Sequence, residues 1–329
     1  MEKSAEKPYI VEISDERSGQ RIDNFLVTHL KGVPKSRVYR LLRKGEVRVN
    51  KGRIKPDYRL KTGDHVRIPP VRVTNKEDQV HGTPSHSILA AIESSIIYRD
   101  KGLYVINKPA GIAVHGGSGI THGVIEALRV LFPNEQHLEL VHRLDRATSG
   151  CLLIARKRSM LRSLHEQLRN NDIQKTYVKL VKGRWTGGKQ TIDAPLRKNT
   201  LKSGERIVRV DPEGKSAQSI FKPIKHYANS TLMEVELITG RTHQIRVHAA
   251  HVGHPIAGDE KYGQRGFNLS MRKLGLNRLF LHAKALTFSL TESDSMTTVV
   301  APLGDELEQV LQNCENEISL TLSLIHISE

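Results

Sequence analysis

The chain has 329 residues, enough for two domains, and 38% of them are apolar, so a sizeable core is available. No apolar run approaches the ~20 residues of a membrane-spanning helix, and residues 1–9 are charged where a signal peptide is apolar, which excludes an integral membrane protein and a secreted one as first readings. A formal charge of +16 at pH 7 points to a polyanionic partner, nucleic acid above all. The two cysteines, Cys151 and Cys314, stand far apart. They form neither a disulfide framework nor a zinc spacing and suit a reducing cytoplasm.

Residues 1–18 read as a polar arm with one short strand, Tyr9-Ile10-Val11-Glu12-Ile13. Ile22, Phe25 and Leu26 then recur at helical spacing, and Gly32-Val33-Pro34 breaks the helix. Pro34 suits the first turn of a second helix, with Val38, Leu41 and Leu42 on one face and Lys35, Arg37, Arg40, Arg43 and Lys44 on the other; Gly45 suits its C-cap. Two strand-and-turn patterns follow, Val47-Arg48-Val49-Asn50-Lys51-Gly52 and residues 60–68. Residues 31–72 carry fourteen Lys and Arg against three Asp and Glu. So dense a basic face on a small module predicts phosphate contacts with RNA or DNA.

This module resembles the S4-type RNA-binding domain. The resemblance rests on Arg21-Ile22-Asp23, on Ser36-Arg37 through Leu41-Leu42, on Gly45-Glu46-Val47-Arg48-Val49-Asn50 and on Gly63-Asp64. The expected organisation is therefore an arm over 1–18, an S4-like α/β module over 19–72 and a polar linker over 73–90. A larger domain follows over 91–314, then an atypical tail over 315–329. In the larger domain, residues 103–106, 151–155, 175–181, 207–210 and 232–238 read as strands, and 123–131 and 159–169 as helices. The fold class is α+β on a mostly antiparallel sheet. The last dozen residues alternate like an edge strand without an evident partner; they look like a reading-frame artefact and are set aside for function.

Four stretches of this domain carry chemistry. Asn107-Lys108-Pro109-Ala110-Gly111 leads into a Gly-rich loop that is neither a P-loop nor a dinucleotide fingerprint. His142-Arg143-Leu144-Asp145-Arg146-Ala147-Thr148-Ser149-Gly150 sets a carboxylate between two arginines on a polar turn. Lys175-Thr176-Tyr177 heads a strand, offering an aromatic face for a base. Thr239-Gly240-Arg241-Thr242-His243-Gln244-Ile245-Arg246 reads as a turn into a helix capped by Thr242, with Arg241 beside the helix start, placed to orient a carboxylate. None of the four holds a second carboxylate, which argues against a two-carboxylate glycosidase and a two-metal nuclease. No Ser-His-Asp or Cys-His arrangement stands out, and His243 and His248 lack the geometry of a metal pair.

Together the four stretches resemble the pseudouridine synthases of the large-subunit ribosomal type, over roughly residues 15–312. The resemblance implies that Asp145 is the essential aspartate, Tyr177 the ring that stacks on the target uracil and Arg241 the basic residue paired with Asp145. Arg143 would help to displace the nucleotide, Leu279 of Arg278-Leu279-Phe280-Leu281-His282 would form an apolar wall, and His142 would shape the turn. It further implies uridine isomerisation without metal or organic cofactor, on a base turned out of its stack. The expected partner is large-subunit (23S) ribosomal RNA, with Lys35, Arg37, Arg40, Arg43, Lys44 and Arg48 as tethers, and the expected state is a cytoplasmic monomer with no protein partner. Two other readings stay open at this point: a non-catalytic RNA-binding or ribosome-assembly protein, and a DNA glycosylase.

Overall fold

The computed structural model describes residues 7–30, 33–71, 83–116, 122–200, 206–290 and 295–326. The chain divides into two compact units, Met1–Gly82 and Thr83–Glu329.

In the first unit the apolar spacing produces what it predicts. Strand β1 (Tyr9–Glu12), helices α1 (Ile22–His29) and α2 (Lys35–Lys44), and strands β2 (Arg48–Val49) and β3 (His65–Ile68) follow in order. The strands form an antiparallel sheet in the order β1-β3-β2. The expected arm is thus part of the module, because β1 pairs with β3. Phe25, Leu26, Val38, Leu41 and Leu42 close over the sheet through Val49, Val66 and Ile68. Pro34 stands at the N-cap of α2, and Gly45 ends the helix in the left-handed region at φ 69°. Two buried carboxylates hold the connections. Asp23 takes both Arg21 nitrogens at 3.1 and 2.7 Å and the Tyr39 hydroxyl at 2.9 Å. Asp64 takes Asn50, Tyr58 and the Lys61 amide. Burial alone would raise both carboxyls, but these donors outweigh it and hold both below the usual range.

The second unit begins earlier than composition suggests. Residues 73–82 of the expected linker lie outside the described residues, and residues 86–90 belong to helix α3 (His86–Ser94). Ser85 caps that helix by accepting the Ile88 amide, and Ile92 is buried with the α4 side chains below it. After α3 come β4 (Ile96–Arg99), β5 (Leu103–Lys108), α4 (Val124–Leu131), β6 (Glu139–Leu140), β7 (Ser149–Ala155), α5 (Arg158–Asn170), β8 (Gln174–Lys182) and β9 (Gln190–Asp193). The hairpin β10 (Leu196–Thr200) and β11 (Arg206–Val210) leads to β12 (Gln218–His226), β13 (Ser230–Leu237), α6 (Gln244–His251), α7 (Arg265–Lys273), β14 (Leu281–Ser289), β15 (Met296–Val300) and α8 (Asp305–His326). Residues 315–326 of the atypical tail continue α8 and do not form the edge strand that their alternation resembles, and the first turn of α8 carries Asp305, Glu306 and Glu308 where the helix dipole favours acids.

The central sheet runs β4-β5-β7-β14-β8-β13-β12-β9, with β15 on β14 and β6 on β7. Every pairing is antiparallel except β7 with β14, where His282 lies opposite Ser149 and Ala283 opposite Gly150. At that junction Gly150 has φ 109°, and a Cβ there would stand 2.2 Å from the Ala283 carbonyl oxygen, so only glycine lets the two backbones meet. One face of the sheet, through Ile106, Leu152, Tyr177, Val181 and Phe221, packs against α4 and α6. On the other face, Val178 and Leu180 meet α7 and α8, while Leu153 meets Leu164 of α5.

Lys179 points into the first of these layers, two residues from Tyr177 on the same side of β8. It is fully buried, its Nζ has no hydrogen-bond partner among the described residues, and it lies 2.9 Å from the centre of the Phe221 ring. Burial drives this amine well below its ordinary value of 10.5, which favours its neutral form in the folded chain. Folding then releases a proton between the lowered value and pH 10.5, and stability declines as pH falls through that window. Lys179→Met should raise stability by about 1–3 kcal/mol, the scale of one unsatisfied buried polar group. In thermal melts the gain should be larger at about pH 7 than at about pH 9.

Candidate active site

Asp145 is carried on the loop between β6 and β7, and three features shape that loop. Leu144 is buried in the core below it. Thr148 donates its amide to the Asp145 carbonyl. His142 accepts the Leu153 amide at 3.1 Å through Nε2, and burial, reinforced by Lys175, pushes its imidazole down to about 4, so it is a neutral acceptor that shapes the turn. The Gly-rich stretch after β5 clasps the loop from the side. Gly111 N–H donates to the Arg146 carbonyl and Arg146 Nε donates back to the Gly111 carbonyl, each at 2.8 Å. Lys108, fully buried, donates Nζ to the carbonyls of Pro109, Ile112 and Arg146. The Asn107-Lys108-Pro109-Ala110-Gly111 stretch is therefore a brace for the Asp145 loop.

The carboxylate faces a cavity of ≈ 130 Å³ lined by Arg143, Tyr177, Leu237, Arg241, Ile245, Arg246 and Leu281, among others. Its cationic neighbour is Arg246, with Nη1 3.8 Å from Asp145 Oδ2. Arg246 is aimed by a second carboxylate: Nε and Nη2 donate to the two oxygens of Asp259 at 2.8 and 2.7 Å, and the guanidinium lies 5.0 Å from the Tyr262 ring centre. Asp259, 2% exposed, also accepts the amides of Lys261 and Tyr262. Burial would raise the Asp259 carboxyl, and the Arg246 fork overcomes it and holds it below the usual range. His243 Nε2 stands 3.7 Å from Asp145 Oδ2, while Nδ1 pairs with the Tyr262 hydroxyl at 2.8 Å. Burial lowers its imidazole, with Asp145 opposing and Arg246 adding to the effect, so Arg246 is the permanent charge that faces the carboxylate.

This corrects three expectations. Arg241 lines the cavity, but its Nε donates to the Ser216 carbonyl and its backbone amide to Gln244; the charge facing Asp145 belongs to Arg246. Thr242 is not the helix cap: His243, left-handed at φ 55°, precedes the first residue of α6, Gln244. The helix thus starts later than the Thr242 reading puts it, and the motif's second arginine becomes its third residue. Leu279, 4% exposed, lines a neighbouring cavity with Arg246, while Leu281, two residues on, walls the Asp145 cavity. Arg143 is exposed at the cavity, and Tyr177 lines it at 8% exposure, its hydroxyl pushed well above the ordinary range by burial and by Asp145. Among the described residues no group of three or more His, Cys, Asp or Glu is placed to hold a metal ion.

In the first unit, Arg37, Arg40, Arg43 and Lys44 are exposed on α2, and Arg48 is exposed on β2. Lys35 opens the helix, and its side chain lies outside the described part of the structure.

Fold and site together place one carboxylate beside a buried arginine at a cavity of an α+β domain, and the comparisons with known proteins make the class specific. The RNA pseudouridylate synthase family matches residues 102–251, and the S4 domain family matches residues 20–66. The chain belongs to the RNA pseudouridine synthase family and carries an S4 domain. It is 55% identical over 309 residues to ribosomal large subunit pseudouridine synthase C of Escherichia coli (strain K12), covering 93% of this chain and 97% of that protein. The protein of the same name from Haemophilus influenzae is also 55% identical, with 91% and 93% covered. Among solved structures, human RNA pseudouridylate synthase domain containing 4 superposes with a TM-score of 0.58 at 26% identity, covering 70% of this chain and 96% of that one.

The Arg246–Asp259 fork is testable apart from the reaction. Arg246→Met leaves a buried carboxylate unpaired and should cost about 3–5 kcal/mol in denaturant unfolding. Adding Asp259→Leu should restore most of that stability while isomerase activity stays at least about 100-fold down, a cost on the scale of losing one charged group at an active site.

Proposed function

We propose that the protein isomerises specific uridines to pseudouridine in large-subunit ribosomal RNA, in the cytoplasm, with Asp145 as its catalytic carboxylate acting on a uridine turned out of its stack. The observation that carries this reading is the placement of Asp145 in a cavity between Tyr177 and an arginine that is itself held by a buried carboxylate. The length over which the chain matches the large-subunit synthases supports the choice of RNA.

In the reaction the N1–C1′ bond of uridine breaks, the uracil turns, C5 joins C1′, the C5 proton leaves and N1 gains one, so no atom is added overall. The detached ring must turn without escaping, which calls for a closed pocket and hence an extruded base. Tyr177 gives that ring a planar surface, while Leu237, Ile245 and Leu281 exclude water around it. Arg246 faces the carboxylate and aims it. Arg143, exposed at the cavity, handles the displaced nucleotide. In the S4 domain, Lys35, Arg37, Arg40, Arg43, Lys44 and Arg48 contact phosphates, which position the RNA without reading its sequence.

Large-subunit RNA transcript carrying tritium at uridine C5 should release tritium with the wild-type protein and show no release above background with Asp145→Asn. Equal release from both would overturn the assignment of Asp145, and free uracil with abasic sites would show a glycosylase instead. Separately, Arg40→Gln with Arg43→Gln should weaken RNA binding and flatten the slope of log affinity against log salt by up to about 2, since each phosphate that the protein stops neutralising lowers the slope by about one. An unchanged slope would remove α2 from the RNA interface.

A further inference from the structure

Beside the Asp145 cavity lies a larger one, of ≈ 300 Å³, that the reaction described above does not use. We propose that it is a subsite for the unpaired base of the nucleotide directly adjoining the target uridine, a reading that rests on the RNA-modifying function proposed above.

Position is the first argument. Arg246 lines both cavities, offering Nη1 to Asp145. The loop divides in the same way: Asp145 lines the smaller cavity and Ala147, two residues later, the larger. Two residues span at most ~7 Å, the reach of one sugar–phosphate unit, so the larger cavity lies within reach of the nucleotide next to a uridine held at Asp145. Size and lining come next. A volume of ≈ 300 Å³ lies at the lower end for small-ligand pockets and suits one planar ring. Its walls include Ala147, Leu276 and Leu279, the two leucines almost fully buried, so their aliphatic faces are fixed in place.

The polar groups separate a base from a phosphate as the occupant. Arg246 is committed to Asp259, and Arg278 donates to Glu306 at 3.1 Å and to Ser149. Of the four cations that line the cavity, with Lys261 the fourth, these two and Arg272, which donates to Glu260 at 2.6 Å, already have carboxylate partners, which disfavours a site built for phosphate. The amide of Asn268 is likewise engaged, accepting the Gly258 amide and donating to the Asp259 carbonyl. Asn277 differs: it is exposed at the cavity and gives one N–H to the Gly275 carbonyl at 3.2 Å, so it brings an amide edge suited to a base edge. An apolar slot with an amide at its edge takes a base.

The test uses a synthetic hairpin of large-subunit RNA centred on a mapped target uridine, tritiated at C5, in three forms: intact, and with the base removed from either neighbouring nucleotide. With wild-type protein, removal at one of the two positions should raise KM about tenfold at unchanged kcat, the scale of burying one ring against aliphatic side chains. Asn277→Trp, which fills the cavity, should show that higher KM with intact RNA, and base removal should then add nothing. Asn277→Ala, which only trims the edge, should raise KM less and serves as the variant least able to disturb folding. No effect of base removal at either position, or losses that multiply between the lesion and Asn277→Trp, would overturn the subsite. Dissociation constants for the three RNAs separate the two ideas: the same pattern in binding with no tritium release would sink the isomerase reading and leave the subsite standing.

Discussion

The buried fork between Arg246 and Asp259 is the interaction on which the site depends. A guanidinium this far from water is tolerated only when its donors are met, and Asp259 meets two of them in parallel. That leaves Nη1 directed at Asp145. Asp259 is in turn held by the amides of Lys261 and Tyr262, and Tyr262 touches both the Arg246 face and the His243 ring. The segment after α6 therefore sets the orientation of the charge at the site, although none of its residues lines the Asp145 cavity. In such a site the electrostatic work is done during folding, before any ligand arrives.

A second constraint is mechanical. The Asp145 loop has almost no regular structure, yet it is fastened at several points: His142 to β7, Leu144 into the core, and Arg146 to Gly111 and Lys108. The Gly-rich stretch looks in sequence like a ligand loop, and in the fold it works as a buttress. Its lysine is buried because three carbonyl groups converge there and need a donor. Such a brace also explains why a polar loop can hold one carboxylate in place at a cavity without burying it completely.

Much of this was legible in the chain. The helical spacing of Val38, Leu41 and Leu42, the Gly45 cap, the apolar run 151–155 and the alternation about Tyr177 each carry a local physical signal, and each became the element expected. The motif around Asp145 was equally plain. What was not legible depends on events one turn or one strand away. Whether Arg241 or Arg246 faces Asp145 turns on where α6 begins, and a left-handed His243 sets that start without the Ser, Thr, Asp or Asn that usually marks a cap. Leu279 and Leu281 share a face of one strand entry, so periodicity cannot choose between two adjoining cavities. The linker hid a helix start at Ser85, and the alternating tail hid the end of α8, since apolar alternation in a short segment does not by itself decide between strand and helix. The sheet order, above all the placing of β14 between β7 and β8, rests on long-range pairing that no local window contains.

The parallel contact at Gly150 and Ala283 has a consequence for how the protein is made. The strands it joins bring Ser149 against His282, 133 residues further along the chain. β14 sits between the strand that follows Asp145 and the strand that carries Tyr177, so until it arrives those two edges have nothing to pair with in this order. During synthesis Asp145 and Tyr177 are both present long before they share a cleft. Closing so long a loop is slow, and the exposed edges remain open to wrong partners in the meantime. The nascent chain thus acquires its S4 domain early and the Asp145 cavity last.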